Sequence, residues 1–286
     1  MHGGCKWTFL VSGLQGQVIE HPLDDWSKLN SLRWPDPEAG IPTESGPIIS
    51  WGRIEAMVRS ARERDYPVII GMPHGFLFQR LYYLRGFRNL MLDFIKKPSS
   101  LYELIDRLTE YYLELVRKAV RLNPDIIAFG DDLGTQDRLT VSPRAFREFI
   151  LPAYKRIFGF VRSAGVHVYL HSDGHIMEIM DDLIGAGISV INPQVRVNGL
   201  DNLKAYKGRV CIDADVDRQV VLPFGTPRDV EEHIREIVLE LGSRKGGLGL
   251  IAGVYPDVPL QNIEALCQAM EKYMCYYSRT NAKNGS

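Results

Sequence analysis

VHVYLHSDGHIMEIMDDLIGAG, residues 166–187, opens with six mostly apolar positions, breaks at Ser172-Asp173-Gly174, and continues with apolar residues at helical spacing. A short apolar run that does not alternate with polar residues suits a parallel strand covered on both faces. The stretch therefore predicts one strand-then-helix unit with a polar turn between its parts. The same rhythm extends in both directions. Upstream lie PVIIG (67–71) and DIIAF (125–129); downstream lie ISVIN (188–192), RVCID (209–213) and LGLIA (248–252). Helical spacing fills the gaps at Tyr102 to Leu122, Pro143 to Arg162, Ile176 to Ala186, Arg228 to Leu241 and Leu260 to Tyr273. Pro98-Ser99-Ser100 reads as a start signal for the first of these, and Asn123-Pro124 as its stop.

Six βα units fit either a barrel or an open doubly wound sheet. No GxGxxG follows any of the runs, which weakens the dinucleotide-binding version and favours the barrel. The first 50 residues differ from the rest. WTFLVS and QVIEH flank Gly13 to Gly16 like a hairpin, and Trp34-Pro35-Asp36-Pro37 leads into a linker rich in Gly and Pro. Residues 1–50 are thus expected to form a hairpin and linker of the same domain whose barrel occupies 51–286.

The 34 Lys and Arg residues balance 35 Asp and Glu, so no excess positive charge is available to hold nucleic acid or an anionic membrane. The start, MHGGCK, lacks the pattern of a secretory signal, and no stretch reaches the roughly 18–20 apolar residues of a membrane span. A cytoplasmic protein is expected. Cys5, Cys211, Cys267 and Cys275 form no CxxC pair and read as buried or partly buried free thiols.

In barrels and open α/β sheets alike, the carboxyl ends of the strands build the site. DIIAF runs into Gly130-Asp131-Asp132-Leu133-Gly134-Thr135-Gln136, which sets two adjacent carboxylates and an amide at a strand mouth. Either aspartate could cap a turn; desolvation and like charge could instead raise a proton affinity and make an acid. VHVYLH ends at His171, and the i, i+2 spacing puts Asp173 on the same side if the strand persists. The pair could ligate a metal, orient a proton or bind a substrate oxygen, or His171 could simply pack at the rim. His175 reads as a surface group at a helix start. Asn192 with Gln194, Asp213 with Asp215, and Tyr255 occupy later strand ends. His74, after PVIIG, could contact a ligand or serve structure. His74, Gln136, Asn192, Gln194, Asp213 and Tyr255 are thus the candidates for binding a small-molecule substrate, and Asp131, Asp132, His171 and Asp173 for catalysis.

Taken together, LRGFRNLMLDFIKKP (84–98), GDDLGTQDRLTVSPRAFREFILPAYKRIF (130–158), VHVYLHSDGHIMEIMDDLIGAGISVINPQV (166–195) and YPDVPLQNIEAL (255–266) resemble the uroporphyrinogen decarboxylase superfamily, which includes cobamide-dependent methyltransferases. The resemblance implies a distorted (β/α)8 TIM-type barrel with its cleft at the carboxyl end. WTFLVSGLQGQVIEHPLDDW (7–26) resembles an internal stretch of longer members, implying a first strand-helix unit that is missing or altered and edges that a homodimer could cover. The decarboxylases' arginine-rich RQAGR motif is absent. The methyltransferase branch carries His-x-Cys where this chain has His171 and Asp173, and a further cysteine where Gly253-Val254 stands. The resemblance therefore implies methyl transfer from a small methylated donor to a corrinoid carried by a partner protein, with His171 and Asp173 as the remaining zinc ligands. A decarboxylase-like lyase and a noncatalytic ligand-binding relative are the alternatives.

Overall fold

The computed structural model describes residues 4–9, 16–43 and 47–279. Ten strands are found among them: β1 (Lys6–Thr8), β2 (Gln17–Glu20), β3 (Ile41–Pro42), β4 (Ile48–Ile49), β5 (Ile69–Gly71), β6 (Ile126–Gly130), β7 (His167–Ser172), β8 (Val190–Pro193), β9 (Cys211–Asp215) and β10 (Leu248–Ile251). All six apolar runs predicted as strands are strands. The main helices are α1 (Trp51–Glu63), α2 (Phe78–Arg85), α3 (Phe87–Lys96), α4 (Ser99–Val120), α5 (Leu151–Ser163), α6 (Met180–Ala186), α7 (Pro227–Leu241) and α8 (Leu260–Tyr273). The chain alternates strand and helix from β5 onward, an α/β fold.

Two compact units can be distinguished. The first comprises residues up to Leu133, Thr140–His171 and Asp181–Ile188; the second comprises Gly134–Leu139, Ser172–Met180 and the residues from Ser189 onward.

In the first unit, β1 and β2 pair antiparallel, as a hairpin requires. Positions 13–15 of its predicted turn lie outside the described residues. β5, β6 and β7 pair in parallel, with Ile69 opposite Ile126 and Ile126 opposite His167. Their core is aromatic: Phe76 has ring centroids of Phe129, Tyr112, Tyr154 and Phe158 at 4.6, 4.8, 5.1 and 5.7 Å. Such contacts add to the area that the rings bury. α4 begins at Ser99 with Pro98 at its cap position and no side-chain cap, one turn sooner than the spacing predicted. It ends where Asn123 takes a left-handed φ of 51° ahead of Pro124. The helical stretch predicted from Pro143 contains a π-turn, Phe146–Ile150. Pro152 has no N–H to donate, and the Leu151 amide reaches back five residues to the Phe146 carbonyl.

In the second unit, β8, β9 and β10 pair in parallel, with Val190 opposite Cys211 and Leu248 opposite Ile212. Val230, Ile234 and Val238 of α7 pack with Leu266, Ala269 and Tyr273 of α8. α7 starts with a capping box: Thr226 and Asp229 exchange side-chain and backbone hydrogen bonds, and Pro227 fills the first turn, where its missing N–H costs nothing. The four cysteines are free, but Cys267 is exposed on α8, because the helix buries Leu266 and Ala269 and so turns position 267 outward.

The segment after β2 is fastened through a buried ion pair. Arg85 Nε lies 2.6 Å from Asp93 Oδ2, and Arg85 Nη1 donates to the carbonyls of Leu23 and Asp24, each at 2.6 Å. The guanidinium also sits 4.4 Å from the Trp26 ring centroid. Replacing Arg85 with Met leaves the Asp93 carboxylate buried without its cation, so denaturant unfolding of Arg85→Met should show a loss of about 3–5 kcal/mol.

Asp125 joins β5 to β6 at their amino ends, accepting from the Val68 amide at 2.6 Å and pairing with Arg62 at 2.9 Å. The Val68 amide, then Arg62, hold its carboxyl below the ordinary 3.8. A depressed carboxyl stabilises the fold above its unfolded pKa and loses that contribution as pH falls through the folded one. The stability advantage of the wild type over Asp125→Asn, measured by urea unfolding across pH, should therefore be present at pH 7 and disappear below about pH 3.8.

Candidate functional site

β6 delivers its carboxylates at Gly130-Asp131-Asp132, and the two do different work. Asp131 is fully buried. Its Oδ2 accepts from the amides of Leu77 and Phe78 at 3.0 and 2.7 Å and from the Tyr154 hydroxyl at 2.8 Å, while Oδ1 accepts from the Gln79 amide at 2.8 Å. These amides are the first of α2, whose cap residue Leu77 has no side chain able to satisfy them. Asp131 supplies that cap from more than 50 residues downstream, with its charge at the positive end of the helix. Burial pushes its carboxyl up, and the Gln79 amide, the Tyr154 hydroxyl and the Phe78 and Leu77 amides pull the other way. With four donors on its two oxygens, Asp131 builds the site.

Asp132 faces the imidazoles. Its Oδ1 lies 3.8 Å from His74 Nε2 and 3.6 Å from His171 Nε2, and the two rings are 5.7 Å apart. Its Oδ2 accepts from Gln79 Nε2 at 2.7 Å. The three side chains are 21–25% exposed, open enough for a small ligand and dry enough for strong electrostatics. His74 is held over the end of β6 by local backbone. The amides of Gly75 and Phe76 donate to the Gly130 carbonyl, both at 3.0 Å, and Arg80 Nη2 donates to the His74 carbonyl at 2.8 Å. Gly130 makes room for the ring, since a Cβ there would stand 2.3 Å from His74 Cδ2.

One ligand atom from each of His74, Asp132 and His171 can be chosen so that all lie within 4.8 Å of one another. Tetrahedral zinc at the usual bond lengths of about 2.0–2.1 Å would set its ligands roughly 3.3 Å apart, a contraction that small side-chain rotations supply. Two imidazoles and a carboxylate match the three protein ligands of catalytic zinc sites, which keep a fourth position open. The donor set fits a zinc ion.

In the second unit the polar strand ends have other partners. Arg218 Nη2 donates to both oxygens of Asp173, at 2.6 and 2.7 Å, and its Nε lies 3.8 Å from Asp215. Burial alone would lower this guanidinium, but Asp215 and Asp173 outweigh it and hold it above its ordinary range. The strand ends at Ser172, so Asp173 lies past the reach of the alternation expected to align it with His171. Gln194 accepts from the Gly174 amide at 2.8 Å, and Asn198 bridges the Gly174 carbonyl and the Ile176 amide. Gly174, at φ 84°, lies against Gly134, whose carbonyl carbon would be 2.2 Å from a Cβ. Asn192 donates to the Asp213 carbonyl at 2.6 Å, and Asp213 Oδ1 would meet a Cβ at Gly249. Gln136 and Tyr255 are exposed, and His175 is half-buried. Sequence reasoning missed Gln79, Tyr154, Asn198 and Arg218, none of which stands in a strand-end motif.

An α/β chain whose strand mouths gather two imidazoles and a carboxylate is organised as enzymes are. A profile of the family described as uroporphyrinogen decarboxylase (URO-D) matches residues 9–273. The chain belongs to this family, as the resemblance led us to expect. It is 26% identical over 245 residues to the methylcobamide:CoM methyltransferase MtaA of Methanosarcina barkeri, covering 82% of this chain and 68% of that protein. It is 24% identical over 274 residues to the uroporphyrinogen decarboxylase of Thermus thermophilus, covering 90% and 72%. A methyltransferase from Methanosarcina mazei shares the fold, with a TM-score of 0.67 at 21% identity over 96% of this chain and 77% of that one. These relatives are enzymes of two kinds. No described helix is long and apolar enough to cross a membrane.

Tyr154→Phe removes one donor from the buried Asp131 carboxylate and leaves the aromatic core in place. Chemical denaturation should report a loss of about 1–3 kcal/mol, the usual cost of unmaking a buried hydrogen bond to a charged group.

Proposed function

We propose that this chain is the methyltransferase component of a corrinoid-linked system, moving a methyl group from a small methylated donor to a corrinoid held by a separate protein. The observation that carries this reading is the convergence of His74, Asp132 and His171 at the mouths of β5, β6 and β7. The methyltransferase relative, at 26% identity, supports the same branch. The sequence suggested His171 and Asp173 as metal ligands. The reading keeps His171, adds His74 and Asp132, and gives Asp173 the task of holding Arg218.

The two imidazoles and Asp132 would hold a zinc ion, which when bound would supply Lewis-acid polarisation of the heteroatom that the methyl group leaves. The chain's own residues do the rest. His74 and His171 present Nε2 from two separate strand mouths, and these atoms would hold the ion from two sides. The carboxylate between them would offset the ion's positive charge through Oδ1. Gln136 and Tyr255 are exposed, and Asn192 and Gln194 act through the backbone that they hold. In this reading the protein works in the cytoplasm on a small molecule that would take the open fourth position, and the corrinoid of the partner protein accepts the methyl group.

A second reading, a lyase acting on a carboxylated substrate, draws on the decarboxylase relative at 24% identity. Elemental analysis separates the two. The wild type, purified without added metal or chelator, should hold near-stoichiometric zinc; His74→Ala, Asp132→Ala and His171→Ala should lose it, while Asp173→Ala should keep it. Absorbance of a free or protein-bound corrinoid should report methylation by the wild type, and the three ligand variants should be slower by on the order of 10²-fold or more. Carbon dioxide release from a metal-free wild type would transfer the assignment to the lyase.

A further inference from the structure

Gln79, the second residue of α2, is 7% exposed and occupies an unusual position for an amide. Its Nε2 donates to Asp132 Oδ2 at 2.7 Å, but its Oε1 is buried and meets no hydrogen-bond donor among the described residues. A buried acceptor without a donor is costly, and an isosteric apolar side chain would fill the same space without that cost. The acceptor end therefore gives no reason for an amide here. The donor end does have a use. Asp132 has two oxygens, and Gln79 engages Oδ2, which leaves Oδ1 facing His74 Nε2 and His171 Nε2. A carboxylate free to rotate would present either oxygen at random and would lose conformational freedom on binding an ion.

The clamp is itself held. The Gln79 amide N–H donates to Asp131 Oδ1 at 2.8 Å, so the backbone that carries the clamp is fixed to the residue next to the one it clamps. Two adjacent carboxylates thus receive the backbone and the side chain of a single glutamine.

We infer that Gln79 is the positioning residue of the His74–Asp132–His171 centre, setting its metal affinity by locking the Asp132 carboxylate through Oδ2. The inference rests on the metal reading proposed above and specifies which outer residue orients its carboxylate. Outer partners of this kind change metal affinity by roughly 10–100-fold.

The test uses cobalt(II) in place of zinc, because its visible absorption reports the coordination environment without any turnover. The metal-free full chain is titrated with cobalt(II), and zinc affinity is measured by competition, for the wild type, Gln79→Met and Gln79→Glu, with thermal unfolding of each metal-free protein alongside. Met removes the donor and the orphan acceptor together; Glu keeps the shape and, when ionised, replaces the donor by a second carboxylate facing Asp132, so one variant serves if the other fails to fold. The expected result is affinity weakened roughly 10–100-fold in both variants, an altered cobalt spectrum, and a metal-free Gln79→Met that is no less stable than the wild type. A metal-binding wild type whose affinity and spectrum are unchanged in both variants would overturn the role of Gln79 and leave the metal centre standing. A wild type that binds neither ion would overturn both.

Discussion

One buried carboxylate organises the first unit. Asp131 lies at the end of β6 and accepts three amides from the start of α2 and the hydroxyl of Tyr154 in α5. Each of those groups would be costly to bury alone: the amides because a helix start has no internal acceptors, and the carboxylate because it carries charge. Together they satisfy one another. The consequence is geometric, since α2 cannot shift against β6 without breaking several charge-assisted bonds at once. His74 and Gln79 lie on either side of the capped turn, so the position of an imidazole and of an amide follows from a cap.

The second unit solves a similar problem without a buried acid at its centre. The turn from Asp173 to Ile176 is irregular backbone, and such backbone needs partners when it is buried. Gln194 and Asn198 provide them from the segment after β8, and the glycine pair Gly134 and Gly174 lets two backbones approach more closely than any side chain would permit. Asp173 is then left to Arg218, and Asp215 adds a second negative charge near the same guanidinium. A carboxylate at position 173 suits this neighbour, because a planar guanidinium recognises a carboxylate through both oxygens.

The parallel strands were legible because burial on both faces writes itself into the sequence as unbroken apolar runs, as in DIIAF and VHVYLH. The long helices were legible for the corresponding reason at helical spacing. His74, Asp132 and His171 were each legible as strand-end polar residues, but their meeting was not, since it depends on which strands are neighbours. The division of labour between Asp131 and Asp132 was legible only as a pair of alternatives. The partners that decide it, Leu77 to Gln79, lie 52 to 54 residues away and form no motif. The alignment of His171 with Asp173 was conditional on the strand persisting, and β7 stops at Ser172, where Asp173 turns to Arg218. Gln79 gave no signal at all, as an amide on a helix usually faces water.

The choice of donors bears on the chemistry. A centre with one imidazole and two thiolates leaves a divalent zinc ion neutral overall, and soft, electron-rich thiolates weaken its pull on a fourth ligand. Two neutral imidazoles and one carboxylate leave one positive charge, carried by harder donors. Such an ion polarises an oxygen or nitrogen ligand more strongly and has less tendency to select a soft sulfur one. In the centre proposed here, His74, Asp132 and His171 would be donors of this harder kind. The three side chains are partly exposed, and behind them the Gln79 amide and the Tyr154 hydroxyl both donate to the buried Asp131 carboxylate, which fixes the frame on which the three stand.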